Sequence, residues 1–193
     1  MSNYTFTQLF RKGQESLNQW QPQAKRTSEA AFDVIDFFGG GGGMSLGFAS
    51  LQEYFRIIGG VDINSTSLKT YELNYGTPVM NADITTISPN SNVVQRTFKI
   101  NKKHPLVVIG CAPCQGFSAH RKKDSDKPED KRNTLIGYFS DIAVNLNPDF
   151  VVMENVPEIL TGKYKKHYEE AKNVFIQNGY YVVQRVYNAA GFG

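Results

Sequence analysis

Cysteine is scarce in this 193-residue chain, which has only Cys111 and Cys114. A single C-x-x-C excludes a secreted disulfide framework, leaves open a redox pair, half a metal site or a nucleophile, and fits a reducing, cytoplasmic setting. Long apolar runs are missing too. The longest, around Leu106 to Gly110 and Phe150 to Met153, fall far short of the roughly 18 residues that a membrane helix needs. The opening stretch MSNYTFTQLFRKGQ has no apolar run behind a charged start, so it does not read as a secretory signal. Charge of one sign is equally lacking: 21 Lys+Arg against 18 Asp+Glu leave +3, too little to point to nucleic acid by itself. What is there is 40% hydrophobic and 20% charged, the composition of one ordinary globular domain.

Residues 1–31 stand apart. They carry Gln8, Gln14, Gln19, Gln21 and Gln23, with Phe6, Leu9, Phe10, Leu17 and Trp20 at near-helical spacing. Thr5 and Gln8 have the form of a capping box and Pro22 would end the helix, so an N-terminal extension with an amphipathic helix and a linker over 21–29 is expected. From residue 32 to 193, short β-branched runs alternate with helical periods, which predicts an α/β domain with a largely parallel sheet. Strands are expected at 32–38, 56–61, weakly at 78–81, 105–110, 150–153 and 180–187. Helices are expected at 45–55, 65–74, 134–146 and 164–178, the third capped by Asn133. The polar stretch 112–132 has no period, and a loop of that length is usually functional or mobile.

Four constellations carry chemistry. The run Asp36-Phe-Phe-Gly-Gly-Gly-Gly-Gly43 joins the first strand to the first helix, where glycines let a nucleotide-like ligand approach the backbone. The dinucleotide pattern G-x-G-x-x-G fails, because its last glycine would fall at Met44 or Ser45. Asp62 ends the second strand about 20 residues on, where doubly wound folds hold a ribose-binding acid, and Asp83 follows the third; each can also be a cap or turn former. Next, Gly110-Cys-Ala-Pro-Cys-Gln-Gly-Phe-Ser118 follows the fourth strand at the ligand-binding edge. Metal ligation lacks support, since His104, His120 and His167 have no ligand-like spacing. A buried structural role suits Cys111, and an exposed thiolate suits Cys114. Finally, Glu154-Asn-Val156 ends the fifth strand at the same edge; Glu is a poor N-cap, so a site role is preferred.

In order and spacing these segments resemble the cytosine-5 DNA methyltransferases: D-F-F-G-G-G-G-G the cofactor loop, A-P-C-Q-G-F-S the nucleophile segment, E-N-V the glutamate segment. Lesser matches are Asp62, Thr70-Tyr-Glu-Leu-Asn-Tyr-Gly76, Ala82-Asp83-Ile84 and Arg132-Asn-Thr-Leu135. The resemblance implies a Rossmann-like S-adenosyl-L-methionine-dependent methyltransferase fold, with the cofactor held by Asp36, Phe38, Gly40, Gly42, Gly43, Asp62, Ile63, Asp83, Ile84 and Leu135. It implies catalysis by Cys114 and Glu154, and substrate contacts from Pro113, Gln115, Ser118, Arg132 and Asn155. The substrate would be double-stranded DNA with a flipped cytosine, in a restriction-modification setting. A protonated Glu154 asks for burial at that position. An RNA substrate and a non-catalytic cofactor-binding scaffold are the other readings. The family continues after the segment resembling Asn188 to Gly193 into a Pro-Gln-Arg-Arg stretch, another strand and a target-recognition domain. The expectation is therefore an incomplete domain that works with a second polypeptide supplying those parts, the missing strand lying between those at 150–153 and 180–187.

Overall fold

The computed structural model describes Glu15, residues 31–113 and residues 134–191. The expected helix over 5–19, the Asn133 cap and nearly all of the 112–132 loop lie outside these residues. Five strands, β1 (Phe32–Phe37), β2 (Phe55–Asp62), β3 (Val79–Asn81), β4 (Leu106–Cys111) and β5 (Phe150–Glu154), form one sheet in the order β3-β2-β1-β4-β5. Every pairing is parallel. The chain winds outward from β1 to β3, then returns to lay β4 on the other side of β1. That reversal opens a crevice at the carboxyl ends of β1 and β4, where such sheets bind ligands.

Parallel strands need helices on both faces, and alternation along β1 supplies two apolar surfaces. Val34 packs with Ile57, Leu68, Tyr71, Val107 and Ile109 on one side. Ile35 and Phe37 pack with Val108, Phe139, Ile142 and Leu146 on the other. The helices are α1 (Gly43–Ala49), α2 (Ser65–Tyr75), α3 (Val93–Thr97), α4 (Leu135–Leu146) and α5 (Lys165–Gln177). At the start of β2, Arg56 Nε donates to the buried Asp33 Oδ1 at 2.7 Å, tying β2 to β1 where the apolar cover ends. None of the described helices is long and apolar enough to cross a membrane.

Three expectations are corrected. The first helix stops at Ala49 rather than running to 55, because Leu51 N–H and Tyr54 N–H turn back to Phe48 and Leu51 carbonyls and deliver the chain directly into β2. The short α3 was not foreseen; its five residues are too few to show a period, and buried Val94 with Phe98 anchors it. The strand expected at 180–187 does not form, and β5 ends the sheet among the described residues. A strand exists only through its neighbour, and among the described residues no strand pairs with this segment, in which Tyr181 is 92% exposed and Val183 64%. The segment is held by side chains instead: the Tyr180 hydroxyl donates to the Pro148 carbonyl at 2.6 Å, Val182 packs against the core, and the Tyr168 hydroxyl donates to Gln184 Oε1.

Glycines inside the strands set how closely the helices approach. A Cβ on Gly110 would lie 2.7 Å from Phe139 Cε2, and one on Gly60 2.7 Å from Tyr71 Cε1. Phe139 is fully buried against Phe37, ring centroids 5.8 Å apart at 74°. Gly110→Ala is therefore expected to destabilise the domain by about 1–3 kcal/mol through overpacking. Urea denaturation checks this; an unchanged midpoint would mean that α4 can withdraw without loss.

Candidate active site

The carboxyl ends of β1, β2, β4 and β5 bring together the residues singled out in the sequence. After Phe37, Phe38 has φ 58°, a conformation that a bulky side chain seldom adopts, and strain of this kind collects at functional sites. Its half-buried ring lies 6.2 Å from that of Phe139, and Leu135 packs against the same cluster. The loop then turns on Gly40 (φ 51°) and Gly42 (φ 98°). A Cβ on Gly40 or Gly43 would meet nothing within 4 Å, so this side of the loop is open, whereas one on Gly42 would enter the Tyr75 ring.

Asp62 is joined to that loop. Its Oδ2 accepts from Gly40 N–H at 2.9 Å and its Oδ1 from Asn64 N–H at 2.7 Å. The cap of α2 is Asn64, whose Oδ1 accepts from Thr66 and Ser67 N–H. The capping alternative for Asp62 is thus taken by its neighbour, and each Asp62 oxygen keeps a lone pair for a diol. Ile63 beside it is 67% exposed. Asp83 realises its turn-forming alternative, with Oδ1 accepting from Thr85 N–H and Oγ1 ahead of buried Ile84. Its other oxygen stays available to the same edge.

Asp36 is the most unusual group. It is 1% exposed, Ser45 Oγ donates to its Oδ2 at 2.6 Å, and Oδ1 has no hydrogen-bond partner among the described residues. Burial pushes the carboxyl up to about 7; the Ser45 hydrogen bond opposes this and the nearby Asp62 charge adds to it. Ser45 Oγ also shares a hydrogen bond of 2.7 Å with Tyr71 Oη. Sequence reasoning assigned no role to Ser45, Tyr71, Asn74 or Tyr75, although Tyr71 to Tyr75 lies within the segment that carried a lesser match. The available signal was a pair of tyrosines four apart on one helix face.

On the other side of the crevice, Cys111 and Glu154 are register partners across β4 and β5, and Cys111 Sγ donates to Glu154 Oε2 at 2.7 Å. Asn155 Nδ2 donates to Ala112 O at 3.2 Å, fastening the end of β5 to the segment that leads through half-buried Pro113 to Cys114. Two expectations change here. Cys111 is exposed rather than buried: alternation along β4 puts it on the face of Val107 and Ile109, opposite the face where Gly110 meets Phe139 of α4. Glu154 is exposed as well, so the described residues do not supply the burial asked for at that position. Cys114, Gln115, Ser118 and Arg132 lie outside the described residues.

A doubly wound parallel sheet with a glycine loop after its first strand and an acid after its second is a Rossmann-like arrangement, and the solved structures it matches are methyltransferases. The methyltransferase EhMeth of Entamoeba histolytica superposes with a TM-score of 0.52 at 22% identity, covering 80% of this chain and 46% of that one. The S. pombe Dnmt2 methyltransferase gives 0.51 at 21%, covering 75% and 41%. The family model for C-5 cytosine-specific DNA methylase matches residues 32–193, and the chain belongs to that family. Among curated relatives, M.XorII of Xanthomonas oryzae is 34% identical over 161 residues, 82% of this chain and 37% of that protein. M1.HphI of Haemophilus parahaemolyticus is 38% identical over 160 residues, 82% and 41%. The chain thus spans about two fifths of the length of these type II methyltransferases. Membership in the family implies S-adenosyl-L-methionine as methyl donor. The residues present fit such a cationic nucleoside: an unpartnered buried carboxylate oxygen, an open glycine loop and a half-buried acid meet at one edge.

The Asp36 environment carries a pH signature. Its folded value of about 7 lies above the ordinary 3.8, so the folded state holds the extra proton between these values and loses stability as pH rises through 7. The shift corresponds to about 4 kcal/mol once Asp36 is ionised. Asp36→Asn is expected to stabilise the ligand-free chain by about 1–3 kcal/mol at pH 8, with the gain shrinking toward pH 5. Thermal denaturation across that range checks the sign; a variant less stable than the parent at pH 8 would refute it.

Proposed function

We propose that this chain carries the cofactor site and the catalytic Cys114 and Glu154 of a DNA (cytosine-5-)-methyltransferase, and that it works with a second polypeptide bearing the Pro-Gln-Arg-Arg segment and a target-recognition domain. The observation that carries the catalytic reading is the convergence of Glu154, Asn155 and the root of the Cys114 segment beside the glycine loop, in a chain of this family. The position of β5, last in the sheet among the described residues, supports the second chain, and so does its uncovered face, where Phe150 is 56% exposed and Val152 40%. An unpaired apolar edge strand invites another strand.

Cytosine carbon 5 is a poor nucleophile until something adds to carbon 6. In the proposed reaction the Cys114 thiolate forms a bond to carbon 6 of a flipped base, and electron density moves to carbon 5. When bound, S-adenosyl-L-methionine supplies the electrophilic methyl group that carbon 5 accepts. Water takes the carbon 5 proton, and the electron pair left behind restores the carbon 5–carbon 6 double bond and expels the Cys114 thiolate. Glu154 in its acid form donates to the ring nitrogen and stabilises charge developing there. Since it is exposed here, DNA and the second chain must cover it for the donation to be effective. Asp36, Phe38, Gly40, Gly42, Gly43, Asp62, Ile63, Asp83, Ile84 and Leu135 would hold the cofactor, with Asp62 serving its ribose and Asp83 and Ile84 its base. Pro113, Gln115, Ser118, Arg132 and Asn155 position the cytosine and its phosphates.

The test is a covalent trap. With the second chain supplied, duplex DNA containing 5-fluorocytosine at the target is expected to form an adduct that is lost in Cys114→Ala and retained in Cys111→Ala. Methylation by the 193-residue chain alone would overturn the two-chain arrangement. Cofactor binding without activity beside any partner would favour the scaffold reading.

A further inference from the structure

We infer that Tyr75 and Asn74, on α2, are positioning residues for the glycine loop: they hold its carbonyls on the α2 side and so set cofactor affinity without themselves touching the cofactor. The inference rests on the cofactor site proposed above. Tyr75 Oη donates to Gly42 O at 2.5 Å, and Asn74 Nδ2 donates to Gly41 O at 3.2 Å. Gly42 O also accepts from Leu46 N–H at 3.0 Å, and Gly42 N–H donates to Gly39 O at 2.7 Å. Two consecutive peptide planes are therefore fixed. In a trans peptide the N–H points opposite the C=O, so turning the Gly42 carbonyl toward α2 aims the Gly43 N–H away from it, to the open side of the loop.

The restraint matters because of the sequence it acts on. Gly39 to Gly43 is an unbroken run of glycines, the residue that loses the most backbone freedom on ordering. Nothing within the run prefers one conformation. The order has to come from outside, and two neighbouring elements provide it. From β2, Asp62 takes the Gly40 N–H. From α2, one helix face delivers Tyr71 to Ser45, Asn74 to Gly41 and Tyr75 to Gly42. The Tyr75 ring also occupies the space where a Cβ on Gly42 would sit, so the positive φ of Gly42 and the aromatic ring are complementary. Burial holds Tyr75 well above the usual phenol range, with the Asp36 charge adding to it, so the hydroxyl remains a donor at any working pH.

A preordered loop has its conformational entropy cost met on folding, whereas a loose one meets it on binding. Tyr75→Phe keeps the ring and removes only the hydroxyl. Calorimetric titration of the whole chain with S-adenosyl-L-methionine is expected to show binding about 3- to 10-fold weaker in this variant, with the loss in the entropic part. Amide hydrogen exchange of the glycine loop should quicken while that of β1 and β4 stays unchanged. Asn74→Ala, on a half-buried residue, provides a second variant in case Tyr75→Phe fails to fold, with the same expected direction. With the second chain present, KM for the cofactor should rise while kcat at saturation holds. A parent chain that binds no S-adenosyl-L-methionine would overturn the proposed function itself. A parent that binds, beside folded variants that bind equally well, would overturn this inference alone. So would weaker binding that is purely enthalpic with unchanged exchange, since that is the mark of a direct contact.

Discussion

A carboxylate is held out of water at the end of the central strand, and the organisation of the cofactor side follows from how Asp36 is accommodated. Ser45 from α1 donates to one of its oxygens, and Tyr71 from α2 shares a hydrogen bond with that same serine. Three elements from separate stretches of chain thus meet in one buried polar chain. Its other oxygen is left without a partner among the described residues, and the carboxyl rises to about 7. Hydrophobic packing alone would favour an apolar residue here. On the proposed reading, a carboxylate that costs stability when ionised and is oriented by two other groups suits a cationic ligand.

The two sides of the crevice differ in how finished they are. Around the glycine loop, Asp62, Asn74 and Tyr75 bind its backbone groups and the Tyr71 and Tyr75 rings are buried. At the ends of β4 and β5 the corresponding groups lie open. Cys111 and Glu154 face each other in register but are exposed, and the sheet stops at a strand whose outer residues Phe150 and Val152 are uncovered. A hydrogen bond between exposed groups competes with water and fixes little. The thiol contact therefore sets the direction of Glu154 only once something else excludes solvent.

The strands of the sheet were largely legible because each apolar run is short, β-branched and followed by a turn residue, and because alternation with helices dictates parallel pairing. The edge residues Asp36, Asp62, Asp83 and Glu154 were legible for the same reason: a polar residue closing an apolar run has to emerge at the end of a strand. What could not be read was pairwise. Nothing in the sequence announces that Ser45 reaches Tyr71, 26 residues on, or that Tyr75 reaches Gly42, 33 residues back. The short, β-branched and aromatic run at 180–187 reads as a strand, yet a strand is a property of two segments and the local run describes one. Cys111 was misjudged because burial at a strand end depends on which face the residue takes and what lies over it there: Gly110 faces Phe139 of α4, and Cys111 faces the other way.

These differences bear on how the proposed reaction would be controlled. A thiolate, an electrophilic methyl donor and water in one open crevice would favour unproductive chemistry over methylation of a base. Here the cofactor side is ordered by this chain's own contacts, while under the proposed function the base side would gain its low-dielectric surroundings only once DNA and a second chain cover Glu154. Charge stabilisation at the ring nitrogen is weak in bulk water and strong where water is excluded. On the proposed reading, cofactor binding and chemical competence are therefore separable: the first belongs to the loop and its α2 supports, the second to whatever completes the sheet beyond β5. Such a division lets the chain hold its methyl donor while the catalytic carboxylate still lies in solvent, where it has little power to activate a base.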